Sequence, residues 1–385
     1  MLERLRRATE ACDTTYGEKS PEYSFIQGQK KRLLFILLLI VSTFFGACLA
    51  VSLGAVDVPL LDTIKILLNQ VFFDVFGEPS ESYYTRIIID LRLPRVVLCI
   101  LAGASLGMAG AVMQGLLRNP LVSPFTLGVS TAASFGAALA IVFGTTMLGN
   151  LYYESYELLG ASITLDDVLK TASAFVFGLF SISLILLLTR NREMSRSTVI
   201  LSGVIISYIF QAGLMFLKYV SDDSQLRDIT MWMMGGLSGI TWNNIMLILP
   251  IVIICAIYLM KVAIDVNMLS SGDEIASNLG IDVTKLRNRG LIVSTLMTTI
   301  CIAFTGTIGF VGLMAPHLCR MIIGNDSRYL FPASAFLGSF ILMVSDVASR
   351  LIMRPSELPI GIIMYIIGGI FFIWLVFGKK LGGKE

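Results

Sequence analysis

Few residues in this 385-residue chain could do chemistry, and most of those few stand alone. The single histidine, His317, follows Ala315 and Pro316 at the end of an apolar run near Arg320, where a helix end satisfies an imidazole without any catalytic duty. The six cysteines (Cys12, Cys48, Cys99, Cys255, Cys301, Cys319) are scattered, with no Cys-x-x-Cys, and most lie within apolar runs. That spacing suits buried thiols better than disulfides or a metal site. No cluster of His, Cys and carboxylate has metal-ligand spacing, no nucleophile stands with a base, and no Gly-x-x-x-x-Gly-Lys-Ser/Thr loop is present to cradle a nucleotide phosphate. The expectation is a chain that is not an enzyme and carries no metal or cofactor of its own.

Asp346 is different. It is the only acid well inside a predicted span, and Arg350 follows it one helical turn later on the same face. An ionisable group in that setting is a candidate proton or ion relay, although a structural pair with Arg350 explains it as well. Gln114 and Gln211 also lie within or near the ends of apolar runs, where they could line a polar pathway or bond a neighbouring helix. A stand-alone ion-coupled carrier would need more buried acids, or broken helices around an ion site, than Asp346 alone supplies.

The elements that position these residues are dictated by composition: 55% of the chain is hydrophobic and 15% charged, against about 25% charged in soluble domains. Uncharged runs cover residues 33–56, 96–117, 119–153, 171–189, 197–217, 229–260, 290–319, 329–345 and 358–378, and a helix needs about 20 residues to cross a bilayer. Pro120 and Pro124 push the helix of the third run to begin near residue 124. Gly235, Gly236 and Gly239 break the sixth, leaving residues 225–234 as a short helix outside the next span, which starts near Trp242. Gly306, Gly309 and Gly312 divide the seventh into two helices, the second short. The reading is an all-α, polytopic membrane protein of ten spans, with small residues at 102–111 for close helix packing.

Ten spans place both termini on one side, and most of the 29 Lys and Arg fall on that side, so the positive-inside rule makes it cytoplasmic. Residues 1–31 then form a cytoplasmic tail before a ten-helix unit at 32–380. The basic residues occur singly or in small groups, which excludes a nucleic-acid partner. In the sizeable loop from Ser270 to Arg287, Ser271 is expected to cap a short helix with Asp273 and Glu274 in its first turn and Gly280 at its end. Asp282 is expected to cap a second short helix ending in Arg287 and Arg289. Ile275 and Leu279 give the first helix a small apolar face. A loop on the membrane surface and a platform for a cytoplasmic partner fit equally.

From Leu91-Arg92-Leu93-Pro94-Arg95 onward the chain resembles the permease subunits of ATP-binding-cassette importers for iron-siderophore complexes, haem and cobalamin. The resemblance continues through Arg118-Asn119-Pro120-Leu121-Val122-Ser123-Pro124, Met231-Trp232-Met233-Met234-Gly235-Gly236-Leu237, Ala276-x-x-Leu279-Gly280, the stretch from Gly306 to His317, and Glu357-Leu358-Pro359-Ile360-Gly361. It implies a subunit of the cobalamin-importer-permease type in the cytoplasmic membrane, among lipid, paired with a second copy around a central path. Two cytoplasmic ATPase subunits carrying ATP and Mg would drive it, and an extracytoplasmic binding protein would deliver the cargo. By the same resemblance Ser271, Gly272, Glu274, Ala276, Leu279, Gly280 and Leu286 belong to coupling helices at 270–289 that fit a groove on the ATPase. Arg92, Arg95 and Arg350, at outer helix ends, match basic residues that meet acids of the binding protein, while snorkelling to lipid headgroups also explains them. Ferric siderophore is the expected cargo, with cobalamin and haem open. The acidic segment 150–167 and the tail are longer than the family pattern.

Overall fold

Inside a bilayer every backbone polar group must be satisfied within its own segment, and the apolar runs do this as helices. The computed structural model describes residues 21–54, 56–72, 77, 79–149, 152, 154–158, 161–189 and 196–381. Nine helices among them are long and apolar enough to cross a membrane: α1 (Pro21–Ser52), α3 (Tyr83–Leu117, after a short α2 at Leu60–Phe72), α4 (Val129–Leu148), α5 (Leu165–Thr189), α6 (Arg196–Val220), α8 (Trp242–Lys261, after α7 at Asp223–Met234), α11 (Val283–Thr305), α13 (Ser327–Ile352) and α14 (Ile360–Leu381). A shorter apolar helix, α12 (Val311–Ile323), is the tenth. Two small helices, α9 (Ala263–Ser270) and α10 (Asp273–Asn278), lie between α8 and α11.

Among the described residues these nine, with α12 as the short helix expected after the glycine-rich break, agree with an all-α membrane protein of about ten helices. Helix α3 sits in the middle, flanked by α11 and α13, and the others surround them with apolar faces turned outward. Glycines let the central helices touch. A Cβ at Gly103 would lie 2.5 Å from the Gly338 carbonyl oxygen, one at Gly107 2.1 Å from that of Ser334, and one at Gly110 1.9 Å from that of Gly312. Backbone meets backbone along this seam, as the small-residue stretch predicts.

The structure departs from the sequence reading at several boundaries. Helix α4 starts at Val129, not near 124, because the two prolines are followed by turns that close at Gly128 with φ +78°. The amphipathic helix α2 and the extra helix α9 were not anticipated, and α1 begins at Pro21, so residues 21–31 extend the first span. Residues 1–20 of the expected tail lie outside the described residues. The acidic segment between α4 and α5 contains a small antiparallel hairpin, Ser155–Leu158 against Ala161–Thr164, with Ser155 opposite Thr164. The short helix expected at 225–234 is α7, started by a reciprocal cap in which the Gln225 backbone N–H donates to Asp222 Oδ1 (2.8 Å) and the Asp222 N–H to Gln225 Oε1 (3.2 Å).

Candidate functional site

At the end of the bundle that carries α10, one carboxylate collects three cations. Asp273, the first residue of α10, accepts from Arg287 Nη2 at 3.0 Å, from Arg196 Nη2 at 3.3 Å and from Arg118 Nη2. The three arginines come from the start of α11, the start of α6 and the residue just past α3, so the short helix is tied to three spans at once. Arg287 is itself 2% exposed and also donates from Nε to the Leu116 carbonyl (3.4 Å). Burial pushes the Asp273 carboxyl up, but the hydrogen bonds from Arg287 and Arg118 and the nearby positive charge outweigh it and hold it below its ordinary value.

Arg118 ends α3 in the left-handed conformation, φ 46° and ψ 41°. Glycine is the usual occupant of such a position, and a side chain there costs roughly 1–2 kcal/mol. The ion pair with Asp273 offsets that strain and explains why an arginine stands where a glycine would be easier.

With Asp273 fixed, α10 presents two faces. Ala276 is fully buried against the bundle, whereas Glu274, Ile275 and Leu279 point away from it, with Ile275 51% and Leu279 61% exposed. Gly272, not Ser271, is the residue that caps α10; Ser271 instead ends α9. Gly280 takes φ +86° where the chain turns back, and Leu286 is buried. The expected second short helix is not separate. Asp282 does cap a helix, accepting the Lys285 N–H at 2.9 Å, but that helix runs on as the long span α11.

The opposite end of the bundle, which carries α7, holds the other acid. Asp346 is fully buried between Arg350 (2.9 Å) and Arg95 (2.8 Å), and Arg95 also meets Glu357 at 2.7 Å. The expected pair with Arg350 is present, but it is one half of a four-residue network. Arg92 and Arg350 are not exposed as expected; they are 6% and 3% accessible. Both turn inward to the C-terminal end of α1. Arg92 donates to the carbonyls of Val51 (3.0 Å), Ser52 (2.6 Å) and Val56, and Arg350 to those of Ala50 (3.0 Å) and Leu53 (2.5 Å). A helix end leaves its last carbonyls without partners and carries partial negative charge, so two guanidinium groups there are favoured on both counts. Gly54 gives Arg92 room: a Cβ would lie 2.6 Å from its Nη2. Of the three arginines, Arg95 alone reaches the rim of the open cavity at this end, about 250 Å³ in volume, beside Glu357 and Trp232.

Of the two glutamines, Gln114 is buried and bridges helices, accepting from Arg320 Nη2 (3.0 Å) and donating to the Gly312 carbonyl (3.4 Å). Gln211 is half-buried on α6. His317 faces the Phe371 ring at 5.9 Å.

A family model described as the FecCD transport family matches residues 38–378. The chain belongs to that family. A relative from Methanocaldococcus jannaschii, named as an ABC transporter permease protein, is 36% identical over 90% of this chain and 95% of its own length. The hemin transport system permease protein of Yersinia pestis is 30% identical over 90% and 95%. A cobalamin import system permease protein of Halobacterium salinarum is 34% identical over 80% and 77%. Among solved structures, a metal-chelate type ABC transporter in an inward-facing conformation matches with a TM-score of 0.74 at 26% identity, covering 89% of this chain and 98% of that one. This FecCD protein is thus a multi-pass ABC-type permease subunit. Its Asp273 cluster escaped the sequence reading because the four residues are far apart in the chain; the one signal was an acid at a helix start with arginines at three neighbouring helix ends.

Proposed function

We propose that this chain is the membrane subunit of an ATP-driven importer that carries a ferric siderophore across the cytoplasmic membrane, with both termini and α10 on the cytoplasmic side. Two copies pair around a central path, two ATPase subunits bind and hydrolyse ATP, and an extracytoplasmic protein delivers the cargo. The observation that carries the reading is α10: a short helix with two exposed apolar residues, Ile275 and Leu279, and an adjacent carboxylate, Glu274, anchored through Asp273 to three spans. A free loop on a membrane surface needs no such anchor. An element that must pass force from a partner to the bundle does. Glu274, Ile275, Leu279 and the turn at Gly280 form the contact surface, while Ser271 and Gly272 set its approach and Ala276 and Leu286 seat it.

Docking of the binding protein falls on the rim formed by Arg95 and Glu357, since Arg92 and Arg350 are committed to α1. Rim charges set encounter rate and orientation more than affinity. The cargo reading leans on relatives named for iron(3+)-hydroxamate, Fe(3+)-citrate, hemin and cobalamin transport. Reconstitution tests it: proteoliposomes holding this chain and its ATPase, given a binding protein and ATP, take up ferric hydroxamate in preference to haemin or cobalamin. Uptake that proceeds without ATP or ATPase contradicts the transporter reading, and preferred uptake of cobalamin or haemin contradicts the cargo.

A further inference from the structure

A second cavity, about 320 Å³ and open to the surface, lies at the α10 end between the end of α3, helix α9 and the junction of α12 with α13. Its polar lining includes Arg118, Arg320, Gln114, Asn119, Asn325 and Ser327, and no carboxylate lines it. Among the described residues no carboxylate lies within ion-pair distance of Arg320, whose recorded partner is the neutral Gln114. Arg118 spends Nη2 on Asp273, but its Nε is buried and has no hydrogen-bond partner. The Asn119 side-chain Oδ1 accepts from the Leu121 N–H (2.9 Å), which leaves its side-chain amide N–H groups to donate. Asp326, which caps α13 between the lining residues Asn325 and Ser327, is engaged by Arg32, Arg328 and Asn267.

Arg320, which has no carboxylate partner, the unpartnered Nε of Arg118 and the Asn119 amide thus border one space, and a partly buried cation without a counter-charge is unfavourable unless an anion joins it. We propose that this cavity holds a phosphate group, either the headgroup of an anionic phospholipid or free phosphate. Guanidinium forks match phosphate oxygens in pairs, and basic pockets between helices at the cytoplasmic face are where such headgroups lodge. Val266 and Leu330, both buried, give the cavity an apolar wall beside its cations. The inference rests on the proposed orientation only for the leaflet concerned, and its test needs neither ATPase nor cargo.

The full-length permease is purified and placed in nanodiscs of phosphatidylcholine, with or without phosphatidylglycerol or added inorganic phosphate. Native mass spectrometry counts retained lipid, and thermal unfolding reports stabilisation. The wild-type protein retains a phosphatidylglycerol that Arg320→Gln binds roughly tenfold more weakly, while Arg320→Lys keeps part of the affinity. Asn325→Asp, at an exposed rim position, folds normally and loses the lipid by repulsion, so it decides the matter if Arg320→Gln does not fold. Stabilisation by inorganic phosphate in phosphatidylcholine, absent in the variants, assigns the site to free phosphate instead. The proposal is overturned if neither phosphatidylglycerol nor phosphate stabilises the wild-type protein, or if Asn325→Asp binds both as the wild type does.

Discussion

Each end of the bundle gathers arginines around one aspartate, but the two are built for different duties. Asp346 is wholly buried; one of its arginines, Arg350, also serves the carbonyls that end α1, and the other, Arg95, closes the network on Glu357. Asp273 stands with its side chain 40% exposed on a six-residue helix whose outer face is open. Burial makes a broken pair expensive, because the orphaned charge has no water to turn to. Exposure makes it cheap. The contrast teaches that Asp346 fixes α1, α3 and α13 together, whereas Asp273 sets the position of α10, the helix proposed to transmit motion.

The largest effect expected from this contrast is at the buried acid. Asp346→Asn leaves Arg350 and Arg95 short of a buried counter-charge and should destabilise the protein by about 3–5 kcal/mol. Thermal unfolding in detergent and yield in the membrane measure it, and transport by any surviving protein should gain no pH dependence. Wild-type stability together with lost uptake would instead mark Asp346 as a relay.

Arg92→Met keeps most of the aliphatic stem but removes the donors to the end of α1, and should cost roughly 2–3 kcal/mol, since each unsatisfied buried carbonyl carries a penalty of about 1–3 kcal/mol. Glu357→Gln, which leaves Asp346 paired with both of its arginines, should mainly change the association rate of the binding protein and its salt dependence. An equal change in association from Arg92→Met in folded protein would return the docking role to the buried arginines.

At the α10 end the stability effects shrink and the functional ones grow. Arg118→Gly removes one partner of Asp273 but also relieves the left-handed strain, so the unfolding temperature should move by a degree or two at most, from offsetting contributions of about 1 kcal/mol. Coupled transport should nevertheless fall. The pH dependence is weaker still. Because its carboxyl is held below its ordinary value, the contribution of Asp273 is fully present above the usual carboxylate range, near pH 4, and is lost only as pH falls through the lower folded value. Association with the ATPase should therefore be flat from pH 8 to about pH 5 as far as Asp273 is concerned.

What could be read in the sequence follows from where the information sits. Spans were legible because hydropathy is local, and the break after Thr305 because glycines are. The Asp346–Arg350 pair was legible because one helical turn separates its members. Arg95 and Glu357 were not, since only the folded bundle brings residues so far apart in the chain together. Arg92 and Arg350 were taken for exposed groups because apolar sequence gives no sign that a neighbouring helix ends beside them. The platform at α10 was visible as a capped helix with an apolar pair, yet its anchor was invisible for the same reason as the Asp346 network: its arginines belong to three different spans.

The central claim is that Asp273 transmits ATP-driven motion and is not merely part of the fold. The direct measurement is cargo transported per ATP hydrolysed by the reconstituted transporter, wild type against Asp273→Asn, with unfolding temperature recorded on the same preparations. The account predicts that the variant assembles, stays folded at the assay temperature although buried Arg287 loses a charged partner, and still hydrolyses ATP, while its transport per ATP drops by about tenfold or more, as for a lost charge-assisted contact of about 1.5–3 kcal/mol. An unchanged ratio, or a loss of transport that only follows a loss of stability, would contradict it.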